Sequence, residues 1–140
     1  MSTIAVNDSL LRKSMKFNGV FSGLSGAAFL LFSQGLAVFM GLGADGAVQN
    51  ISLGASLLFF AGFLLLTSSN WTQEKRRILI FSGEIAILLD VLWVLGTVAV
   101  LLGDFFPLSV GAKWMFAIIG IFVLDFAIFQ AVGLWRVLKK

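Results

Sequence analysis

Apolar residues run along this chain in four long stretches separated by short polar segments, at residues 17–40, 51–69, 78–102 and 114–135. Each is about 20 residues or longer, the length an α-helix needs to cross a hydrocarbon core of about 30 Å. The pattern predicts an all-α polytopic membrane protein. Residues 1–140 are expected to form a single four-helix transmembrane domain. Short connections favour antiparallel neighbours, so the simplest architecture is an up-down four-helix bundle.

The basic residues set an orientation. Arg12, Lys13, Lys16, Lys75, Arg76, Arg77, Arg136, Lys139 and Lys140 flank the stretches on one side, and Lys113 alone lies on the other. Cytoplasmic flanks carry the excess of Lys and Arg, so both termini are predicted to be cytoplasmic. The connections at 41–50 and 103–113 then face outward. Trp71, Trp114 and Trp135 fall at predicted membrane interfaces, as in an aromatic belt. The first apolar run is too long for the core of a signal peptide and is expected to be retained.

Composition narrows the chemistry. Only 12% of residues are charged, against about 25% in a soluble domain, and nothing is left over for one. The chain has no Cys, His or Tyr. Thiolate and imidazole metal sites, disulfides and histidine-ligated haem are therefore excluded, and no cofactor or metal is expected. The formal charge of +3 arises in flanks that suit an anionic inner leaflet, so it gives no reason to expect nucleic acid.

The candidate chemistry lies in the third and fourth stretches. Asp90 and Asp125 sit near their centres, far from any basic residue. An ionisable side chain at that depth costs several kcal/mol on insertion scales and usually faces a partner or a wet cavity. If the two acids meet, they cannot both ionise cheaply in low dielectric, and the pair is expected to share a proton as one coupled unit. Such a pair can exchange its proton for a cation or an amine. Trp93, at i+3 from Asp90, shares its face and offers an indole N–H or a π surface.

Glu84 lies ~9 Å from Asp90 along the helix, toward the cytoplasmic side. Gln130 is expected at the depth of Glu84, which gives two polar levels: Asp90 with Asp125, and Glu84 with Gln130. Glu84 also has a structural reading, pairing with Arg76 or Arg77 by snorkelling.

Small residues mark the packing faces. Gly19, Gly23 and Gly26 form a seam on the first helix, with Asn18, Ser22 and Ser25 as a second stripe beside it. Such seams let helices approach closely in lipid. Both stripes are expected at helix–helix interfaces. A sharper reading lets Ser22 and Ser25 hydrate a cavity reached by the acids. Phe21-Ser22-Gly23 recurs as Phe81-Ser82-Gly83, and Gly54-Ala55 as Gly111-Ala112, a faint parallel repeat of two hairpins.

Leu11-Arg12, Asn18, the run Phe21-Ser22-Gly23-Leu24-Ser25-Gly26 and the run Asp90-Val91-Leu92-Trp93-Val94-Leu95-Gly96 together resemble a set of small, mostly uncharacterised bacterial four-helix integral membrane proteins. The layout of paired hairpins is similar to that of DoxX-like membrane proteins. The resemblance implies four helices in a bacterial inner (plasma) membrane and brings no activity. The small multidrug exporters, of similar length, carry their essential acid in the first span, where this chain has none.

Two functions compete. One is a small protein that binds or transports protons, a cation or a lipophilic amine through Asp90, Asp125, Glu84, Trp93 and Gln130. Because one short chain offers little room for a pathway, this reading carries a homo-oligomer with it. The alternative is a structural or accessory subunit of a larger membrane complex. No motif points to an enzyme; without His, Cys or Tyr, any proton transfer would fall to carboxyls.

Overall fold

The computed structural model describes residues 9–69 and 75–139. Trp71 and Lys140 lie outside them. Five helices and no strand occur among the described residues: α1 (Ser9–Leu31), α2 (Ser33–Met40), α3 (Gly46–Thr67), α4 (Arg76–Leu102) and α5 (Val110–Leu138). Helices α3, α4 and α5 are each long and apolar enough to cross a membrane, and the bent pair α1–α2 makes a fourth candidate if it counts as one span.

The stretch 17–40 is not one straight helix. α1 starts at Ser9, ahead of the apolar run, and α2 leaves it at 89°. The break falls at Phe32, close to Ser33 and Gly35, which are weaker helix formers than the leucines preceding them. Asn50 Nδ2 donates to Ser33 O at 2.9 Å and holds a carbonyl at the bend. Asn50 is thus a buried residue inside α3 rather than the end of an outward loop. α2 stops at Gly41, whose φ of 74° is the left-handed conformation that glycine adopts without steric cost.

The glycine seam of α1 faces α3. A Cβ on Gly19 would meet Leu65, one on Gly23 would meet Ala61, and one on Gly26 would sit 2.8 Å from Gly54 O. As the α1 number rises the α3 number falls, so the two helices run antiparallel. α4 and α5 are also antiparallel: Arg76 Nη2 donates to Val137 O, and a Cβ on Gly120 would touch Thr97. α5 lies along α1 as well, with Phe21 against Phe122 and Phe126. A Cβ on Gly133 would strike the Leu11 backbone. The helices therefore follow one another in space as α3, α1, α5, α4, and the two outer members, α3 and α4, meet only sparsely.

Two apolar clusters fill the interior. Leu11, Met15, Leu64, Leu79, Ala86, Leu134 and Val137 pack at the end that carries Ser9. Phe29, Met40 and Ala112 pack at the opposite end. Arginines tie off the first end. Arg12, expected as a free flanking charge, is buried and donates Nη1 to Ser69 O at 3.1 Å. At the second end Ser109 joins two helices: its hydroxyl accepts from Ala112 N at 3.1 Å, capping α5, and donates to Phe39 O at 2.7 Å.

Candidate functional site

A polar layer separates the two apolar clusters. It is built from α1, α4 and α5. Asn18 Nδ2 donates to Asp90 Oδ2 at 2.7 Å, and Gln130 Nε2 donates to the same oxygen at 3.2 Å. Ser22, one turn after Asn18, donates to Asn18 Oδ1 at 3.1 Å. That bond fixes the Asn18 amide with its NH2 group toward the acid. All four side chains are buried. Oδ1 of Asp90 takes no hydrogen bond among the described residues. Trp93 Nε1 and Gln130 Oε1 are also buried with no partner among them.

Asp90 belongs to the wall of a cavity of about 810 Å³ between α3 and α4. Ser22, Trp93 and Thr97 share that wall, and the lining is otherwise mostly aliphatic and aromatic. A concave, mainly apolar pocket with a few convergent polar groups is the usual form of a small-molecule site. The cavity exists because α3 and α4 do not close against one another. Phe59 lines it while 82% exposed, and Leu89 and Leu92 line it while facing outward, so its mouth lies on the side of the molecule.

The acids do not form the expected pair. Asp125 is exposed on the outer face of α5 and does not line the cavity. At ~100° per residue Asp125 and Gln130 stand ~140° apart on their helix, so burying one turns the other outward. Gln130 is therefore the α5 residue that meets Asp90, and the two proposed polar levels become one. Glu84 is exposed on α4 and forms no ion pair among the described residues; of its two suggested partners, Arg76 and Arg77, the first donates to Val137 O instead. Of the five candidates, Asp90, Gln130 and Trp93 come together, and Asp125 and Glu84 stay apart from them.

Comparison with protein-family models, with curated proteins and with solved structures finds no match.

Sequence reasoning did not identify Asn18 as the first donor to Asp90. Its signal was present, because Asn18 and Ser22 lie on the stripe Leu11, Met15, Asn18, Ser22, Gly26, Phe29, which is buried at offsets of three and four. No group of three or more His, Cys, Asp or Glu side chains that could hold a metal occurs among the described residues. Lys113 forms an exposed ion pair with Asp104 at 3.0 Å, away from the polar layer.

Proposed function

We propose that this chain is a four-span, up-down bundle in a bacterial inner membrane, with both termini cytoplasmic, and that it binds a lipophilic amine or similar cation at Asp90. The observation that carries the reading is the placement of Asp90: a buried carboxyl, gripped at one oxygen by Asn18 and Gln130, in the wall of a largely apolar cavity. Its other oxygen is left for a ligand. An acid at such depth without a basic partner marks a ligand or proton site by default. Trp93 adds a ring and an N–H beside it. A carboxyl that takes a cation in place of a proton couples the two, which is the minimum needed for exchange across the membrane.

The test is binding of dodecylammonium to the protein in lipid nanodiscs, followed by Trp fluorescence. Asp90→Asn keeps the shape and removes the charge, and we expect at least about tenfold weaker binding, the scale of losing one charge-assisted contact. Equal affinity for both proteins overturns the reading.

Asp125 favours a second element, assembly. It lies near the middle of α5 on an exposed apolar face beside Ile121, Phe122, Ile128 and Phe129. Facing lipid there, a charged Asp costs about 2.5–3.5 kcal/mol on insertion scales. Cover by a second copy or by a larger complex removes that cost and accounts for an acid outside the amine site. Cross-linking in native membranes through a cysteine placed at Ile128 tests it, and a monomer throughout would count against it.

A further inference from the structure

We propose that the cavity is a slot for the alkyl chain of a single-chain amine, which enters sideways from the lipid between α3 and α4. The proposal rests on the reading of Asp90 as the counter-charge, and it names the class of ligand.

The first argument is shape. Along α4 the lining runs from Ile85 to Val100, and along α3 from Gln49 to Phe63. At 1.5 Å per residue these walls are ~21–22 Å long. A volume of 810 Å³ spread over that length is narrow and elongated rather than round. The second argument is where the charge sits. Asp90 is near the Ile85 end, and ~15 Å of wall extends beyond it to Val100. That wall is mostly apolar, with Leu53, Leu57, Leu92 and Phe116, and its polar members are Gln49, Asn50, Ser56 and Thr97. A compact hydrophilic cation would be stripped of water along such a wall with little compensation. An amine with a linear chain places its head at Asp90 and its tail where the wall is apolar. Trp93, at the junction, packs its ring over the cationic head.

The third argument is access. The mouth is lateral, bordered by the outward-facing Phe59, Leu89 and Leu92, whereas the far end is lined by Met40, Leu42 and Leu108, which pack in one apolar cluster. Ser109 ties together the two helix ends beside that cluster. A chain already dissolved in the bilayer can enter from the side without crossing water, and the length of wall beyond Asp90 sets how much of it the slot holds.

Two plugs test the slot without touching the polar layer. Gly96 and Ser56 line the cavity from opposite walls. A Cβ added at Gly96 meets nothing within 4 Å, and both Gly96 and Ser56 are exposed, so Gly96→Phe and Ser56→Phe are expected to fold. Binding of butylammonium, dodecylammonium and neutral dodecanol is measured in nanodiscs for wild type, both plugs and Asp90→Asn. Comparing each variant with wild type for the same probe cancels partitioning into the lipid. We expect the plugs to weaken dodecylammonium about tenfold, the scale of overfilling an apolar site, and to leave butylammonium unchanged. Asp90→Asn should weaken both amines.

If Asp90→Asn weakens both amines but neither plug affects dodecylammonium, the slot is refuted and the Asp90 site stands. If Asp90→Asn changes nothing, the Asp90 reading itself fails. If dodecanol binds as tightly as dodecylammonium and responds to the plugs, a chain occupies the slot but the amine class is overturned.

Discussion

Asn18 Nδ2 lies 2.7 Å from Asp90 Oδ2 and so joins α1 to α4, two helices that otherwise meet only lightly. The bond links residues 72 apart in sequence and sets the rotation of α4 about its axis. With Asp90 turned inward to Asn18 and Gln130, Trp93 and Thr97 follow along the same face and line the cavity.

That contact should be measurable as coupling. A double-mutant cycle on Asn18→Leu and Asp90→Leu, followed by unfolding in mixed micelles, is expected to give about 1 kcal/mol between the two positions. The value sits within the range of interhelical hydrogen bonds in membrane proteins, which average about 0.6 kcal/mol. A coupling of zero would mean that Asn18 does not position the acid.

The α1–α3 crossing should tolerate no side chain at its tightest point. A Cβ at Gly54 would lie 2.7 Å from Gly26 O, a backbone atom that cannot swing away. Gly54→Val is expected to destabilise by about 3 kcal/mol. Gly62→Ala is the control, since a Cβ there meets nothing within 4 Å, and helix propensity favours Ala by up to ~1 kcal/mol. Equal stability of the two variants would refute the close approach.

Asp90 and Asp125 should separate experimentally. Asp125→Leu removes an exposed acid that does not line the cavity. It should leave dodecylammonium affinity within twofold of wild type, about 0.4 kcal/mol, and shift the protein toward monomer in subunit counting by photobleaching. Loss of amine binding in this variant would return Asp125 to the site.

Ser109 carries two bonds that can be told apart. Ser109→Ala loses the α5 cap and the bond to Phe39 O, and is expected to cost about 1–2 kcal/mol. Ser109→Asp keeps an acceptor for Ala112 N but cannot donate as a carboxylate, so it should recover only part of the loss. Full recovery would assign the whole effect to the cap.

Much of this fold could be read from hydropathy, because apolar length alone locates α3, α4 and α5. Where those helices end could not, since α5 continues through Arg136 to Leu138 and α4 begins at Arg76, in residues that hydropathy treats as flank. The break at Phe32 was hidden because Leu36, Val38 and Phe39 keep the run apolar beyond it. For the site, the inward role of Asp90 was legible, but the rotation and the level of its α5 partner were not. Asp125 is expected at the depth of Asp90, yet Gln130, ~7.5 Å from it along α5, is level with Asp90, and it shares a face with the small residues Gly120, Ala127 and Gly133 that are buried on α5. Asp90 likewise follows Gly83 and Ala86 on α4. A stripe of small residues marks the inward face better than the position of an acid does.

The right-angle turn after α1 also makes the molecule uneven in height. The residues of α2 run crosswise and add nothing along the α1 axis. At 1.5 Å per residue α1 and α3 are ~33–35 Å long, whereas α4 and α5 are ~40–44 Å. Under the proposed four-span placement, one side of the protein is matched to a thinner hydrocarbon layer than the other, and a bilayer adapts to such mismatch by locally thinning, thickening or tilting the helices. The step in height falls where α3 and α4 stand beside the lateral mouth, so in that placement the lipids there would change thickness within the width of one helix.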